Sequence, residues 1–255
     1  MKMHNIIHSK IIEDIRTECT ANITLTPGAS KRFFKTSKGS YAEEDEFLGV
    51  TVPNLRKIAK IYKNIELQIV EELLKSQYNE ERLLALLILV EQYQKGDSDC
   101  QKEIYQFYLE NLRYVNNWNL VDSSAYHILG HYLFDKNRSK IYHLAGSDIL
   151  WERRIAIVAT LYFIRKDDLS ITYEISKILL KDKHDLIHKA VGWMLREAGK
   201  KDEASLISFL DEHASQMPKT MLRYSIERLS TGQKKEFQGP VSHLNEPIIE
   251  RVSCS

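Results

Sequence analysis

The chain has 255 residues, enough for one large domain or two ordinary ones, with a formal net charge of +1 and a hydrophobic fraction of 43%. Near-balanced charge excludes a uniformly basic nucleic-acid binder, so affinity for nucleic acid would have to come from local clusters of Lys and Arg. The widely spaced Cys19, Cys100 and Cys254 exclude a disulfide framework and fit a reducing compartment. They also argue against a Cys-based metal site, and the His residues never form H-E-x-x-H. No apolar run approaches the roughly 18 residues that span a membrane, and Met1 to Lys10 lack the apolar core of a secretory signal. A soluble, cytoplasmic protein is expected.

Only ten Gly and five Pro occur, which leaves room for many helices and few tight turns. Apolar residues recur at helical spacing almost throughout, and strand-like alternation is nearly absent. The first helix is predicted over 5–20. Lys35 to Phe47 breaks the pattern: it is polar, holds Gly39 and the run Glu43-Glu44-Asp45-Glu46, and reads as a surface loop. At its end, Thr51 or Val52 precedes a helix over 53–63 with Pro53 in its first turn. Further helices are predicted over 66–75, 79–93, 99–113, 118–133 and 137–144. The last five cover 149–164, 170–181, 185–198, 202–213 and 219–229. After Ser230 the periodicity fades. Residues 1–230 are therefore expected to form one helical-repeat domain and 231–255 a loosely docked or disordered tail.

The helices come in pairs. Ala85, Asp122, Ala156, Ala190 and Tyr224 occupy similar places in successive second helices, at spacings of 37, 34, 34 and 34 residues. A two-helix unit of this period marks an α-solenoid, an all-α stack in which each pair buries one face on its neighbours. A plain helical bundle with helices of similar length is the alternative.

Four groups of residues could carry chemistry. Trp118 and Asp122 are four apart and share one helix face, which continues through the apolar Ala125 and Leu129. Asp122 could instead cap the helix start, a role that Asn116 or Asn117 already suits. On a helical wheel, Ile187, Ala190, Val191, Met194, Leu195 and Ala198 fall on one side, and Lys189, Trp193, Arg196 and Lys200 on the other. An indole in an exposed basic stripe calls for something to stack on it. A neighbouring Arg would do, and so would a nucleic acid, whose phosphates the cations would neutralise. Arg153-Arg154 opens a helix that is apolar nearly all round. Its partner could be Glu152 or a neighbouring helix, or else a phosphate or Asp122. Lys31-Arg32-Phe33-Phe34-Lys35 mixes cations and aromatics, although Phe33 and Phe34 also suit a core.

Together these residues resemble the DNA alkylation repair family, whose AlkD-type members are alkylpurine DNA glycosylases. The resemblance runs from about Phe33 to Leu229. Its anchors are Phe47-Leu48-Gly49-Val50 with Val52-Pro53-Asn54-Leu55-Arg56, Trp118-x-x-x-Asp122, Trp151-x-Arg153-Arg154-x-Ala156-Ile157, and Lys189-Ala190-x-Gly192-Trp193-x-Leu195-Arg196. It implies a HEAT-like solenoid of paired antiparallel helices whose basic concave face holds duplex DNA. It also implies that Trp118 and Trp193 are the two indoles near the lesion, Asp122 the carboxylate, Arg154 the Arg, and Arg196 a further DNA contact. Arg153, Lys189, Lys200, Lys31, Arg32, Phe33 and Phe34 are expected to border the DNA. Where the best-known member has a DNA-contacting Tyr in its N-terminal helix, the nearest residues here are Phe33 and Phe34, which have no hydroxyl.

The implied reaction is hydrolysis of the N-glycosidic bond of a cationic N7- or N3-alkylpurine. Such a base leaves readily and places positive charge on the sugar. A fixed carboxylate about 4 Å from that charge is worth about 4 kcal/mol at an effective dielectric of 20, or roughly a thousandfold in rate. Asp122 suits that role, the indole faces would attract the cationic sugar, and Arg154 would hold a phosphate or align Asp122. No Lys nucleophile, metal or cofactor is indicated, so a monofunctional, monomeric glycosylase is expected. A catalytically silent binder of distorted or branched DNA would share the fold, and a protein-interaction scaffold is the other use of helical repeats.

Overall fold

The computed structural model describes residues 2–26 and 28–238, without the side chains of 2–5, 30, 31 and 238. Regular structure there is helical, and β contacts are limited to the isolated bridges Ile23–Val50 and Glu46–Tyr78. The helices are α1 Lys2–Ala21, α2 Val52–Ile61, α3 Leu67–Leu74, α4 Asn79–Lys95, α5 Ser98–Glu110 and α6 Trp118–Ala125. A π-helical turn, Tyr126–Gly130, carries α6 directly into α7, His131–Leu133. There follow α8 Ser139–Ala145, α9 Leu150–Arg165, α10 Ser170–Leu179, α11 Asp185–Gly199, α12 Glu203–His213, α13 Lys219–Ser225 and α14 Thr231–Gln238. Each helix expected from periodicity is present, with ends displaced by about a turn or less. Among the described residues no helix is long and apolar enough to cross a membrane.

Local chemistry sets the helix starts. Asp97 and Asp202 each accept a hydrogen bond from a backbone N–H in the first turn of the helix they precede, α5 and α12. Pro53 sits in the first turn of α2, where its missing N–H costs nothing. One reading of the sequence needs correction. The π turn is absent from the expected pattern, because one extra residue in a turn leaves the apolar spacing readable as an ordinary helix. Within the expected tail, residues 231–238 form a helix. They dock through Phe237, packed on the core, and through the Gln233 amide, which donates to Glu203 at 2.8 Å. One apolar contact is too little to leave a period. The rest of the expected tail, 239–255, lies outside the described residues.

The pairs stack as a solenoid. The second helices form one row in which α2 packs on α4, α4 on α6, α6 on α9, α9 on α11 and α11 on α13. The first helices back this row: α3 lies on α4, α5 on α4 and the π turn, α8 on α9, α10 on α9 and α11, and α12 on α11. One continuous apolar core runs between the layers. The repeat positions Ala85, Ala156 and Ala190 are buried where the row packs most closely. Asp122 stands at the equivalent place in α6, a carboxylate where α4, α9 and α11 set Ala.

Close approach also explains Gly192. A Cβ there would lie 2.5 Å from Tyr224 Cβ and 2.6 Å from the Met221 carbonyl oxygen, so α11 and α13 meet backbone to backbone. Gly192→Ala should therefore destabilise the protein by about 1–3 kcal/mol in urea unfolding; an unchanged midpoint would show that the two helices can separate freely. A second expectation concerns pH. Burial, then the Arg165 and Arg56 charges, push His127 down from 6.5 to about 4. The unfolded chain thus binds the extra proton first as pH falls, and stability present above about 6.5 is lost progressively towards 4. Burial lowers His131 and His184 in the same direction. His127→Gln should flatten, without abolishing, the fall in urea midpoint between pH 7 and 4.

Candidate active site

The site is built where three successive second helices begin. Asn117 caps α6, its side-chain oxygen accepting from the Trp118 N–H at 2.7 Å, so Asp122 is not needed for capping. Trp118 and Asp122 then stand one turn apart. Arg154, from the first turns of α9, reaches Asp122 as a fork: Nε donates to Oδ1 at 2.9 Å and Nη2 to Oδ2 at 2.8 Å. Its Nη1 donates to the Leu186 carbonyl in α11 at 2.6 Å. The Arg154 side chain is 2% exposed and that of Asp122 16%, so the guanidinium lies behind the carboxylate and only the carboxylate reaches solvent. Removing one member of such a pair leaves a buried charge without compensation, at a cost of about 3–5 kcal/mol. Of the two functional partners considered for Arg154, Asp122 is the one it has, and its burial excludes it from a phosphate.

The loop between α1 and α2 closes over the start of α6. The Phe34 ring stacks on Trp118, with centroids 5.1 Å apart and planes at 20°, and on Phe47 at 4.7 Å. Tyr41 sets its edge against Trp151 of α9, and its hydroxyl donates to the Phe33 carbonyl. This loop is anchored from beneath, contrary to its reading as a plain surface loop. Asp45 is buried and paired with buried Arg82 of α4. It also accepts from Asn79 at 3.1 Å and from Asn117, the cap of the Trp118 helix. Arg82 completes the knot by donating to the Ser76 and Gln77 carbonyls. Beside it the Glu80 carboxylate accepts from the Leu48 and Gly49 N–H groups at 3.0 and 2.9 Å. Gly49 has φ +92°, and a Cβ there would meet the Leu25 carbonyl at 2.8 Å, so glycine is required. Sequence reasoning missed Asp45, Arg82, Asn79 and Glu80 as a group. The signal was present, since Arg82 precedes a long apolar run and must find a partner when buried.

The other expected site residues are placed differently from one another. Trp193 is half-buried and packs against the core, and so does not face away from it. It stands two turns along α11 from Leu186. The basic stripe around it is not a row of free cations. Lys189 pairs with Asp185 at 2.8 Å, Lys200 with Glu197 at 2.7 Å, and Arg196 with Glu197 and Glu227. Asp185 and Glu197 belong to α11 itself, at i,i+4 from Lys189 and i,i+3 from Lys200, and were legible in the sequence; only Glu227 is brought by another part of the fold. Arg153 is likewise engaged: it pairs with Asp182 at 2.6 Å and donates to the Ser147 and Asp148 carbonyls, which fastens the start of α9. Phe33 is 59% exposed beside the Phe34–Trp118 stack, and Arg32 is exposed too. The side chain of Lys31 lies outside the described residues.

The anchors around Trp118, Asp122, Arg154 and Trp193 carry a family likeness that comparison with known proteins decides. Residues 26–229 match the family model of the DNA alkylation repair enzymes. The chain belongs to the DNA alkylation repair enzyme family. A DNA alkylation repair enzyme is thus the coarse identity of the chain, with a role in DNA repair. Among solved structures it is similar to one described as a predicted DNA alkylation repair enzyme from Enterococcus faecalis, with a TM-score of 0.61 and 14% identity. That match covers 82% of this chain and 99% of the other, and at this identity it speaks for the fold. No curated protein matches the chain.

The buried Asp45 knot gives a direct expectation. Asp45→Ala should lower the unfolding free energy by about 3 kcal/mol or more, because Arg82 is left charged and buried. It should also alter Trp fluorescence in the folded state, since Asn117 and the Phe34 loop both lose an anchor beside Trp118. A loss under about 1 kcal/mol would remove Asp45 from this role.

Proposed function

We propose that this repair enzyme is a monofunctional, monomeric DNA glycosylase that hydrolyses the N-glycosidic bond of N7- or N3-alkylated purines in duplex DNA. The observation that carries the reading is the solvent-facing Asp122 carboxylate, gripped from behind by buried Arg154 beside the Trp118 indole. The alkylated base already bears positive charge. When its C1′–N bond breaks, the bonding pair leaves with the base and neutralises it, and the sugar takes up the charge. Asp122 would stabilise that cation, and water would then add to C1′ and release a proton. A rigid carboxylate serves this better than a mobile one, because its orientation costs nothing at the moment of reaction. Arg154 supplies the rigidity and also offsets part of the carboxylate field, so the roughly thousandfold figure for an isolated charge is an upper bound. Trp118, with exposed Phe33 and stacked Phe34, offers π surface to the sugar and neighbouring bases.

One observation favours a second reading, a catalytically silent DNA binder. Both Asp122 oxygens are engaged by Arg154, so the pair accounts for its own presence as a structural tie. Base release decides between them. Duplex DNA carrying N7-methylguanine should lose that base on incubation with the protein. Asp122→Asn should slow release by about a hundredfold to a thousandfold while duplex binding persists. Tight binding without release by the unmodified protein would establish the silent binder. Equal release by Asp122→Asn, with the fold intact, would remove Asp122 from the mechanism.

A further inference from the structure

The cations expected to meet DNA on α11 each have a carboxylate neighbour, and other cations along the row do not. Among the described residues, Arg56 of α2 and Arg165 of α9 have no carboxylate partner. Arg165 lies against the π turn that follows the site helix, and the charge of Arg56 bears on the same turn. Tyr126 stands one turn beyond Asp122, as Asp122 stands one turn beyond Trp118, so the three mark a stripe. The Arg165 guanidinium lies 4.6 Å over the Tyr126 ring, and that ring is 3.8 Å from His127. From α2 the charge of Arg56, like that of Arg165, opposes protonation of the same imidazole. The Gln94 side-chain amide is hydrogen-bonded to His127 Nδ1 at 2.9 Å. Burial and the two cationic charges keep that imidazole neutral.

Two uncompensated guanidinium groups around one patch repel each other until an anion enters. Arg favours phosphate because its planar fork matches two phosphate oxygens, and stacking on Tyr126 leaves the Arg165 fork free at its edge. Tyr126 lies about 6 Å along the helix from Asp122. One strand of duplex DNA advances about 3.4 Å per nucleotide. With a lesion sugar at Asp122, a strand running along α6 would bring a phosphate one or two nucleotides away to this patch. We propose that Arg56, Arg165 and His127 form a binding site for a backbone phosphate of the lesion strand, next to the carboxylate. The proposal rests on the glycosylase reading for the lesion's position at Asp122, and the site's existence is testable without catalysis.

The test is equilibrium binding of the full-length protein to an undamaged duplex, by fluorescence anisotropy, between 50 and 200 mM salt. Arg165→Gln should lower the slope of log K against log salt by about 0.9, and Arg56→Gln with Arg165→Gln by about twice that. Affinity at the lower salt should fall about tenfold for each guanidinium removed. Arg165 is exposed, so its single variant keeps the fold, which circular dichroism would verify, and it tests the proposal even if Arg56→Gln does not fold. An unchanged slope in folded Arg165→Gln overturns the proposal. So does a slope that falls instead in Lys189→Gln or Lys200→Gln. Base release from N7-methylguanine duplex is scored separately. A reduced slope without any release supports the phosphate site and overturns only the glycosylase reading.

Discussion

The fork from Arg154 to Asp122 is the constraint around which the molecule is arranged. A guanidinium cannot sit in the dry interface of an apolar helix without an anion and full hydrogen bonding. Arg154 meets both demands with groups from its two neighbours, the Asp122 carboxylate and the Leu186 carbonyl. The three residues, at 122, 154 and 186, lie near the starts of three successive second helices, so the tie joins three consecutive repeats. A solenoid otherwise holds its repeats together only by nearest-neighbour packing. Here one side chain fixes the register of α6, α9 and α11 and, in the same act, the direction in which a carboxylate meets solvent.

The surroundings of that pair follow from the same economy of buried charge. Asp45 pairs with Arg82, Glu80 takes up two backbone N–H groups, and Glu81 takes up Arg16 of α1. All three carboxylates serve the start of α4 or the loop packed on it. Acidic groups at a helix N-terminus are stabilised by the helix dipole as well as by their partners. The loop they hold carries Phe34 onto Trp118, so the aromatic wall of the site depends on a network of charges beneath it. Stability and the shape of the site cannot be separated here: a change that leaves Arg82 unpaired also releases the ring that covers Trp118.

Charge also partitions the row of second helices. On α11 the cations are neutralised locally by Asp185, Glu197 and Glu227. Around the π turn they are not, and the His127 imidazole is kept neutral by its burial and by their own repulsion. A formal net charge of +1 hides this division, because a balanced total is compatible with one paired face and one uncompensated patch. The uncompensated patch lies along α6 from Asp122, on the side away from Trp118.

The sequence by itself determined the class of fold, the pairing of helices and the candidate carboxylate. Those depend on short-range facts: apolar spacing within a helix, a repeat of 34 residues, and Trp118 and Asp122 on one face. It also indicated that Arg154 needed a partner, because a charge opening an apolar helix is costly whatever lies around it. Only the tertiary structure decided which partner it took. It likewise decided that Arg153 meets Asp182 and Arg196 meets Glu227, and that Asp45, read as part of an exposed acidic run, is buried. The ion pairs of Asp45 with Arg82, Arg153 with Asp182 and Arg196 with Glu227 join residues about 30 or more positions apart, whereas those of Lys189 and Lys200 are local to α11. A helical wheel gives the direction of a side chain but not what the next helix brings to meet it. The π turn escaped notice for a related reason, since it forms where α6 packs against α9, and nothing in its own residues departs from helical periodicity.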